Sequence, residues 1–524
     1  MSTIVSDLFI NQSVVFHQPS AEKVEQTVDK LSETLDLTSA APFDSTFLKG
    51  GRFGLLSLKA ISCPLTEVEQ DFMFQIDCSG SMSDICSDDR SKMQHILHTL
   101  KNMILYFKEN PSLNVYVTIH AFDDNIFKIV DRTLIDVMTY DSIIAKINTI
   151  TPRACTNIEK ALQDTKEYMS QLLEQYPTTK KTHIFMTDGQ ATVGNSKHTY
   201  LRELVDNTNN NVFIGFGIDH DATLLNVVSQ GEKSSYYFID KLENAGLVYG
   251  EILHGIVYKF LENVEISITD GLIYDYNTNT WNSTLIVGDV ASESSKFYHV
   301  VGDTTSVVKV TGKSSDTGID IFAFVPIQEE PADLTKYIYR QRTQQILFKI
   351  NKHNKGKHDS TNYHLIREQE KNLKTEMQEF FDELKKYMSD NNLTDDVLLK
   401  NLCDDIYICR RTFGTTYGDM FCTARGNSQG QQRAYNATHL PERCVQRNNA
   451  IYRSSNRIYQ HKYDYEDKDE EDEDEEDFDG LHHDISDATD TPYRTQTMTQ
   501  VMRSVSANIF QVDNEDDEET QSAY

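Results

Sequence analysis

The chain is 524 residues long, 39% hydrophobic, and carries a formal charge of −31. That length exceeds one ordinary core, so two or three domains are expected, and the hydrophobic content excludes a chain disordered throughout. The charge is uneven: residues 464–524 hold 22 acids against Lys468, Arg494 and Arg503, so the acidic pI describes the tail rather than the folded part.

Residues 1–7 lack the basic and apolar regions of a secretory signal, and no window approaches roughly 18 consecutive apolar residues. Eight cysteines without a C-x-x-C pair offer no disulfide framework. The expectation is a soluble, cytoplasmic protein with no membrane partner. Usage rich in Asn, Asp, Ile, Lys and Tyr suits an AT-rich genome, as in a protist or a large DNA virus, and for a virus the virion is a second location.

In chain order, residues 1–65 offer a short helix at 21–35 and a strand at 53–60. From 66 to 262, apolar runs at 72–76, 115–122, 183–187, 212–217 and 236–239 alternate with helical periods. Met93, Ile96, Leu97, Leu100, Ile104 and Phe107 mark one helical face, and Ile158, Ala161, Leu162, Thr165, Met169 and Leu172 another; a third lies in 247–261. This alternation predicts an α/β fold with a doubly wound, mostly parallel sheet. Ligands of such sheets sit beyond the carboxyl ends of the strands, where strand order reverses.

Residues 263–332 change to period two, as in Val264-Glu265-Ile266-Ser267-Ile268, and read as a small β-sandwich with strands at 298–301, 306–310 and 320–325. Residues 333–424 are helical, with Leu365, Leu373, Met377, Phe380, Phe381, Leu384 and Met388 as a packing stripe. A basic, polar segment is expected at 425–462 and a disordered acidic tail at 463–524, whose run at 464–479 holds 13 acids. The two charge blocks are expected to associate loosely, with the acids masking the arginines.

The residues that carry chemistry begin at Asp77-Cys78-Ser79-Gly80-Ser81, directly after the apolar run at 72–76. An Asp, two hydroxyls at alternate positions and a Gly for a tight turn make a loop of hard oxygen ligands, suited to a hard divalent cation. Thr156 opens a helical pattern further on, and Thr187-Asp188-Gly189 ends another apolar strand. An isolated Asp-x-Ser-x-Ser is as readily a capped turn. Thr156 and the Asp188 strand end shift that balance through the family resemblance they carry.

With these residues the chain resembles the von Willebrand factor type A family of intracellular build, in which a sandwich similar to that of inter-α-inhibitor follows the A domain. The strand at 53–60 is the candidate that completes the sandwich. The family's metal-ion-dependent adhesion site is written Asp-x-Ser-x-Ser, then Thr, then Asp. The resemblance implies Ser79, Ser81 and Thr156 as direct ligands of Mg²⁺ (or Mn²⁺ or Ca²⁺), with Asp77 and Asp188 holding bound water. It implies metal-dependent binding of a protein partner that presents Asp or Glu, and no enzyme activity. Arg153-Ala154-Cys155 departs from the small glycines usual before the threonine, which puts a cation beside the site. Asp84, Asp88 and Asp89 offer extra carboxylates that would favour Ca²⁺.

Other readings are weaker. A phosphotransferase of the haloacid dehalogenase type needs an Asp where Ser79 stands. Cys403, Cys409, Cys422 and Cys444 with His439 lack the compact spacing of a zinc site, and they form no RING domain. The Arg/Tyr-rich segment 425–462 suggests nucleic acid by charge and stacking, but the neighbouring acids compete for it. The alternative function is therefore a nucleic-acid-associated or ubiquitin-pathway scaffold acting through the C-terminal region, with the A domain structural.

Overall fold

A computed structural model gives the fold, and it describes residues 3–4, 10–16, 52–60, 69–86, 89–217, 220–231, 233–315, 318–325, 333–357, 363–415, 417–438, 440 and 483–506. The expected helix at 21–35, the acidic run at 464–479, and Cys444 and His439 lie outside these residues.

Three strands come first: β1 (Thr3–Ile4), β2 (Ile10–Phe16) and β3 (Arg52–Ala60). The following unit holds β4 (Gln70–Asp77), β5 (Val115–Phe122), β6 (Ile126–Leu134), β7 (Lys180–Thr187), β8 (Asn210–Phe216) and β9 (Ser234–Ile239). Their order in the sheet is β6-β5-β4-β7-β8-β9, with every pair parallel except β5 and β6. This is the expected doubly wound sheet. Every residue of β4 is buried, as befits a central strand covered on both faces. Strand order reverses at β4, which pairs with β5 on one side and β7 on the other, so the crevice falls between the ends of β4 and β7. The antiparallel edge strand β6 was not foreseen. It is mostly half-buried, and exposed Lys128 and Asp131 interrupt its apolar residues, which is why no apolar run announced it.

Helices α1 (Lys92–Glu109), α2 (Tyr140–Ile147), α3 (Ile158–Gln175), α4 (His198–Leu204), α5 (Ala222–Val228) and α6 (Ala245–Val257) cover the sheet. Helix α1 starts in a capping box, Ser91 accepting from Gln94 N while the Gln94 side chain accepts from Ser91 N. The third expected helical stretch, 247–261, ends early: from Lys259 the chain is already a strand.

The next strands are β10 (Lys259–Asp275), β11 (Thr280–Asn282), β12 (Thr284–Ala291), β13 (Ser295–Ser314) and β14 (Asp320–Val325). With β1–β3 they form one eight-stranded sheet built on the two long strands β10 and β13. β3 pairs antiparallel with β13, placing Leu56 opposite Tyr298. The two short strands expected at 298–301 and 306–310 are one strand, and the pairing slips between Thr269 and Gly271 instead of breaking.

The helical region comprises α7 (Thr335–Lys357), α8 (Tyr363–Asp390), α9 (Val397–Thr412) and α10 (Gly418–Gln431). In the expected stripe of α8, Met377, Phe380, Phe381, Leu384 and Met388 are buried, but Leu365 is exposed and Ile366 turns inward. Helix α10 runs into the segment expected to be basic and solvated. Arg425 is fully buried there, paired with Asp405 and donating to Ala437 O at 3.0 Å. Arg433 is buried as well, with its guanidinium 3.7 Å from the Tyr237 ring centroid. These two arginines belong to the fold and are not offered to nucleic acid.

The tail is also corrected. Residues 483–506 are ordered, ending in helix α11 (496–506). His483 Nε2 meets Asp404 Oδ1 at 2.7 Å, and Asn436 N donates to Ala488 O at 2.9 Å. Val501 and Val505 join the core of the six-stranded unit. Helix α11 approaches α6 closely: a Cβ on Gly250 would lie 2.4 Å from Met502 Cα, so only glycine fits. Among the described residues no helix is long and apolar enough to cross a membrane.

Candidate metal centre

Three loops meet beyond the carboxyl ends of β4, β5 and β7. The loop after β4 is pinned by Cys78 N donating to Phe122 O at 2.8 Å, by Arg153 N to Cys78 O at 2.7 Å and by Gly80 N to Ala154 O at 3.1 Å. Asp77, Ser79, Thr156 and Asp188 are buried and Ser81 is half-buried. All five sequence-predicted residues are thus brought to one crevice.

The hydroxyls of Ser79 and Ser81 lie 3.1 Å apart, and Ser81 donates to Asp188 Oδ1 at 2.8 Å. A Cβ on Gly189 would stand 3.5 Å from Thr156 Oγ1 and 3.7 Å from Ser81 Oγ, so these hydroxyls border the same small space. Among the described residues the Thr156 hydroxyl makes no hydrogen bond; only its backbone is held, by Thr192 Oγ1 at 2.9 Å.

Asp77 is held differently. Its Oδ1 accepts from Ser79 N at 2.8 Å and its Oδ2 from the Thr187 hydroxyl at 2.6 Å. Burial outweighs these bonds and pushes the carboxyl up to about 6. Thr187, whose role the sequence did not reveal, orients Asp77 and also accepts from Gly189 N at 3.2 Å.

The more consequential residue that the sequence reading missed is Lys92. Its Nζ is 2.7 Å from Asp188 Oδ2 and 3.2 Å from Asp84 Oδ2. A lysine in the first turn of a helix opposes the macrodipole, and that was the available signal. Arg153, the cation expected beside the site, is engaged elsewhere: its guanidinium sits 3.9 Å from the Phe127 ring centroid and its Nε 3.8 Å from Asp123 Oδ2. Of the extra carboxylates, Asp84 is taken up by Lys92. Among the described residues no group of three or more His, Cys, Asp or Glu is placed to hold a metal.

The departure before Thr156 has a backbone cost. Ala154 adopts φ 36°, the left-handed region, where a Cβ costs roughly 1 kcal/mol. Ala154→Gly is therefore expected to raise stability by about 1 kcal/mol, read by denaturant titration.

Among the described residues the cysteines weighed as a zinc site gather no group of three ligands. Cys403, Cys409 and Cys422 are buried in the helical core, and Cys403 Sγ donates to Met388 Sδ at 3.5 Å. Burial pushes the Cys403 thiol up to about 12, which keeps it inert.

Residues 71–250 match the family model of the von Willebrand factor type A domain. This part of the chain is a von Willebrand factor type A domain. No curated protein matches the chain. Among solved structures it is similar to a von Willebrand factor type A protein from Catenulispora acidiphila, at 12% identity over 75% of this chain and 89% of that one, with a TM-score of 0.47. The ArnB paralog VWA2 from Sulfolobus acidocaldarius is similar at 12% identity over 80% of this chain and 97% of that one, with a TM-score of 0.43. Proximal thread matrix protein 1 of the mussel byssus, in a form whose metal-ion-dependent adhesion site holds zinc, covers 34% of this chain and 45% of its own at 17% identity and a TM-score of 0.28. A type A domain commonly mediates protein–protein interaction.

Proposed function

We propose that the A domain binds a divalent cation, Mg²⁺ or Mn²⁺, and through it an Asp or Glu side chain of a protein partner. The observation that carries this reading is the cluster of three hydroxyls at the switch point, one of them without a hydrogen bond among the described residues. Oxygens bound at adjacent octahedral positions of Mg²⁺ lie about 2.9 Å apart. The 3.1 Å between Ser79 Oγ and Ser81 Oγ is close to that edge.

Ser79, Ser81 and Thr156 would hold the cation, and Asp77 and Asp188 would orient the hydroxyls and bound water. Three neutral ligands leave positive charge on the ion, which a partner's carboxylate neutralises. Binding rather than catalysis is the better reading, since both Asp77 oxygens accept from groups of this chain and Ser79 stands where a general acid would be needed. The scaffold alternative has less support now that Arg425 and Arg433 serve the fold.

Thermal melts test the metal directly. Mg²⁺ at about 100 times its dissociation constant should add ~2.7 kcal/mol of stability over EDTA. Coincident melts, with no heat in a calorimetric titration, would remove the metal from the reading. Pull-downs with the Ser81→Ala protein, in Mg²⁺ and in EDTA, test the partner.

A further inference from the structure

Lys92 is an unusual neighbour for a cation site. Its side chain is only 11% exposed, and it faces Asp188, whose side chain is 0% exposed. The same ammonium reaches Asp84, whose side chain is 60% exposed. Asp188 thus spends one oxygen on Ser81 and the other on Lys92. Lys92 bridges a buried carboxylate, shared with the candidate metal centre, and a carboxylate at the mouth of the crevice.

We infer that Lys92 is a tethered counter-cation of the metal centre, which occupies Asp188 in the metal-free chain and yields toward Asp84 when a divalent ion enters. This rests on the metal reading above. The argument is one of charge. A buried carboxylate without a partner is costly, so a site that must exist without metal needs a substitute positive charge. Lys92 supplies it, and the crevice can assemble before any ion arrives. Once a divalent ion approaches the Ser81 and Thr156 hydroxyls, it and the ammonium lie a few ångströms apart in a poorly solvated space and repel. Asp84 offers the ammonium a solvated place to go.

Two consequences follow. Affinity for the divalent ion is lower than the hydroxyl cluster would give alone, so occupancy responds to the ion's concentration. Asp84, although outside the hydroxyl set, controls that affinity through Lys92.

The test uses the full chain, with Mn²⁺ as probe and the paramagnetic resonance of the free ion as readout. Lys92→Met keeps the length of the side chain and removes its charge; it should bind Mn²⁺ tighter by roughly 10- to 1000-fold, the range expected for removing a like charge at this distance. Lys92→Arg, which keeps the charge, should bind no tighter than the parent. Asp84→Asn should weaken binding in the parent and leave Lys92→Met unchanged, because the acceptor matters only if the ammonium is there to move. Circular dichroism checks that each variant is folded.

If the parent binds Mn²⁺ and a folded Lys92→Met binds it equally or less well, the tethered cation is overturned and the metal centre stands. An equal loss from Asp84→Asn in both backgrounds overturns the transfer to Asp84. Binding by Lys92→Met alone would support the inference in its strongest form. Should neither protein bind, the metal centre falls and this inference with it.

Discussion

Deleting residues 483–506 is expected to lower stability by at least ~3 kcal/mol, the scale of losing several core side chains at once. For a unit of this size that is a fall of about 6–12 °C in the melting temperature. The segment looks dispensable by composition but is built into the fold. Tyr493, Met498, Val501, Met502 and Val505 are all buried. Their loss would uncover Tyr435, which packs in the same core. It would also strand Asp404, which receives His483 and Ser486 N, and Glu293, which receives the Thr497 hydroxyl at 2.7 Å.

Excising residues 442–481 and closing the gap with a short Gly/Ser linker should, by contrast, leave the melt nearly unchanged. Described residues on either side of that stretch are held together, since Asn436 N donates to Ala488 O. This pair of proteins separates the acidic run from the segment that follows it, which truncation after the basic stretch would remove together. A point change probes the same contact. Gly250→Val places side-chain atoms where Met502 Cα lies and should cost about 1–3 kcal/mol. A deletion as stable as the parent would mean that residues 483–506 only rest on the surface.

The sequence was most legible where chemistry restricts residue choice. Asp77, Ser79 and Ser81 were found because a hard-cation loop needs oxygen donors at alternate positions after a strand, and that spacing is visible in a sequence; Thr156 and Asp188 joined them through the resemblance to the family's motif. The buried strands were found because a central parallel strand must be apolar on both faces, as β4 is. Lys92 was missed because its role depends on a partner 96 residues away, and only its awkward place at a helix N-terminus hinted at it. Strand β6 was missed because an edge strand with one wet face carries a diluted pattern. Helix α11 was missed because the acidic stretches on either side dominate the average composition, while its contact with α6 rests on glycines. Gly246 and Gly250, four apart on one helix face, were the readable sign of a close helix pair. The basic segment misled for a related reason: charge counts do not show that Arg425 has Asp405 as a buried partner.

In EDTA, Asp77→Asn is expected to stabilise the chain at pH 7.5, although it removes a residue of the candidate site. The reason is the folded-state carboxyl, which burial raises to about 6 from an ordinary 3.8. A carboxyl raised in this way favours folding while it is protonated, below about pH 4. That contribution is lost as the pH rises through 6. A shift of this size corresponds to roughly 3 kcal/mol. The metal-free parent should therefore lose stability between pH 4 and pH 6, and the Asn variant should lack that loss. Buried His183 and His254, both held down to about 4 by burial, push the other way as pH falls, but they act equally in parent and variant and cancel in the difference. The Asn side chain keeps an acceptor for Ser79 N, and Thr187 Oγ1 can accept from its amide, so the local bonds survive in altered sense. With Mg²⁺ present the ranking should reverse, because the ion offsets the cost of the buried carboxylate in the parent and finds no charge to meet in the variant. Urea titrations at pH 4.5, 6.0 and 7.5, each in EDTA and in Mg²⁺, read both effects. A variant less stable than the parent by the same amount under all six conditions would make Asp77 a structural residue, held by Ser79 and Thr187 for the turn alone.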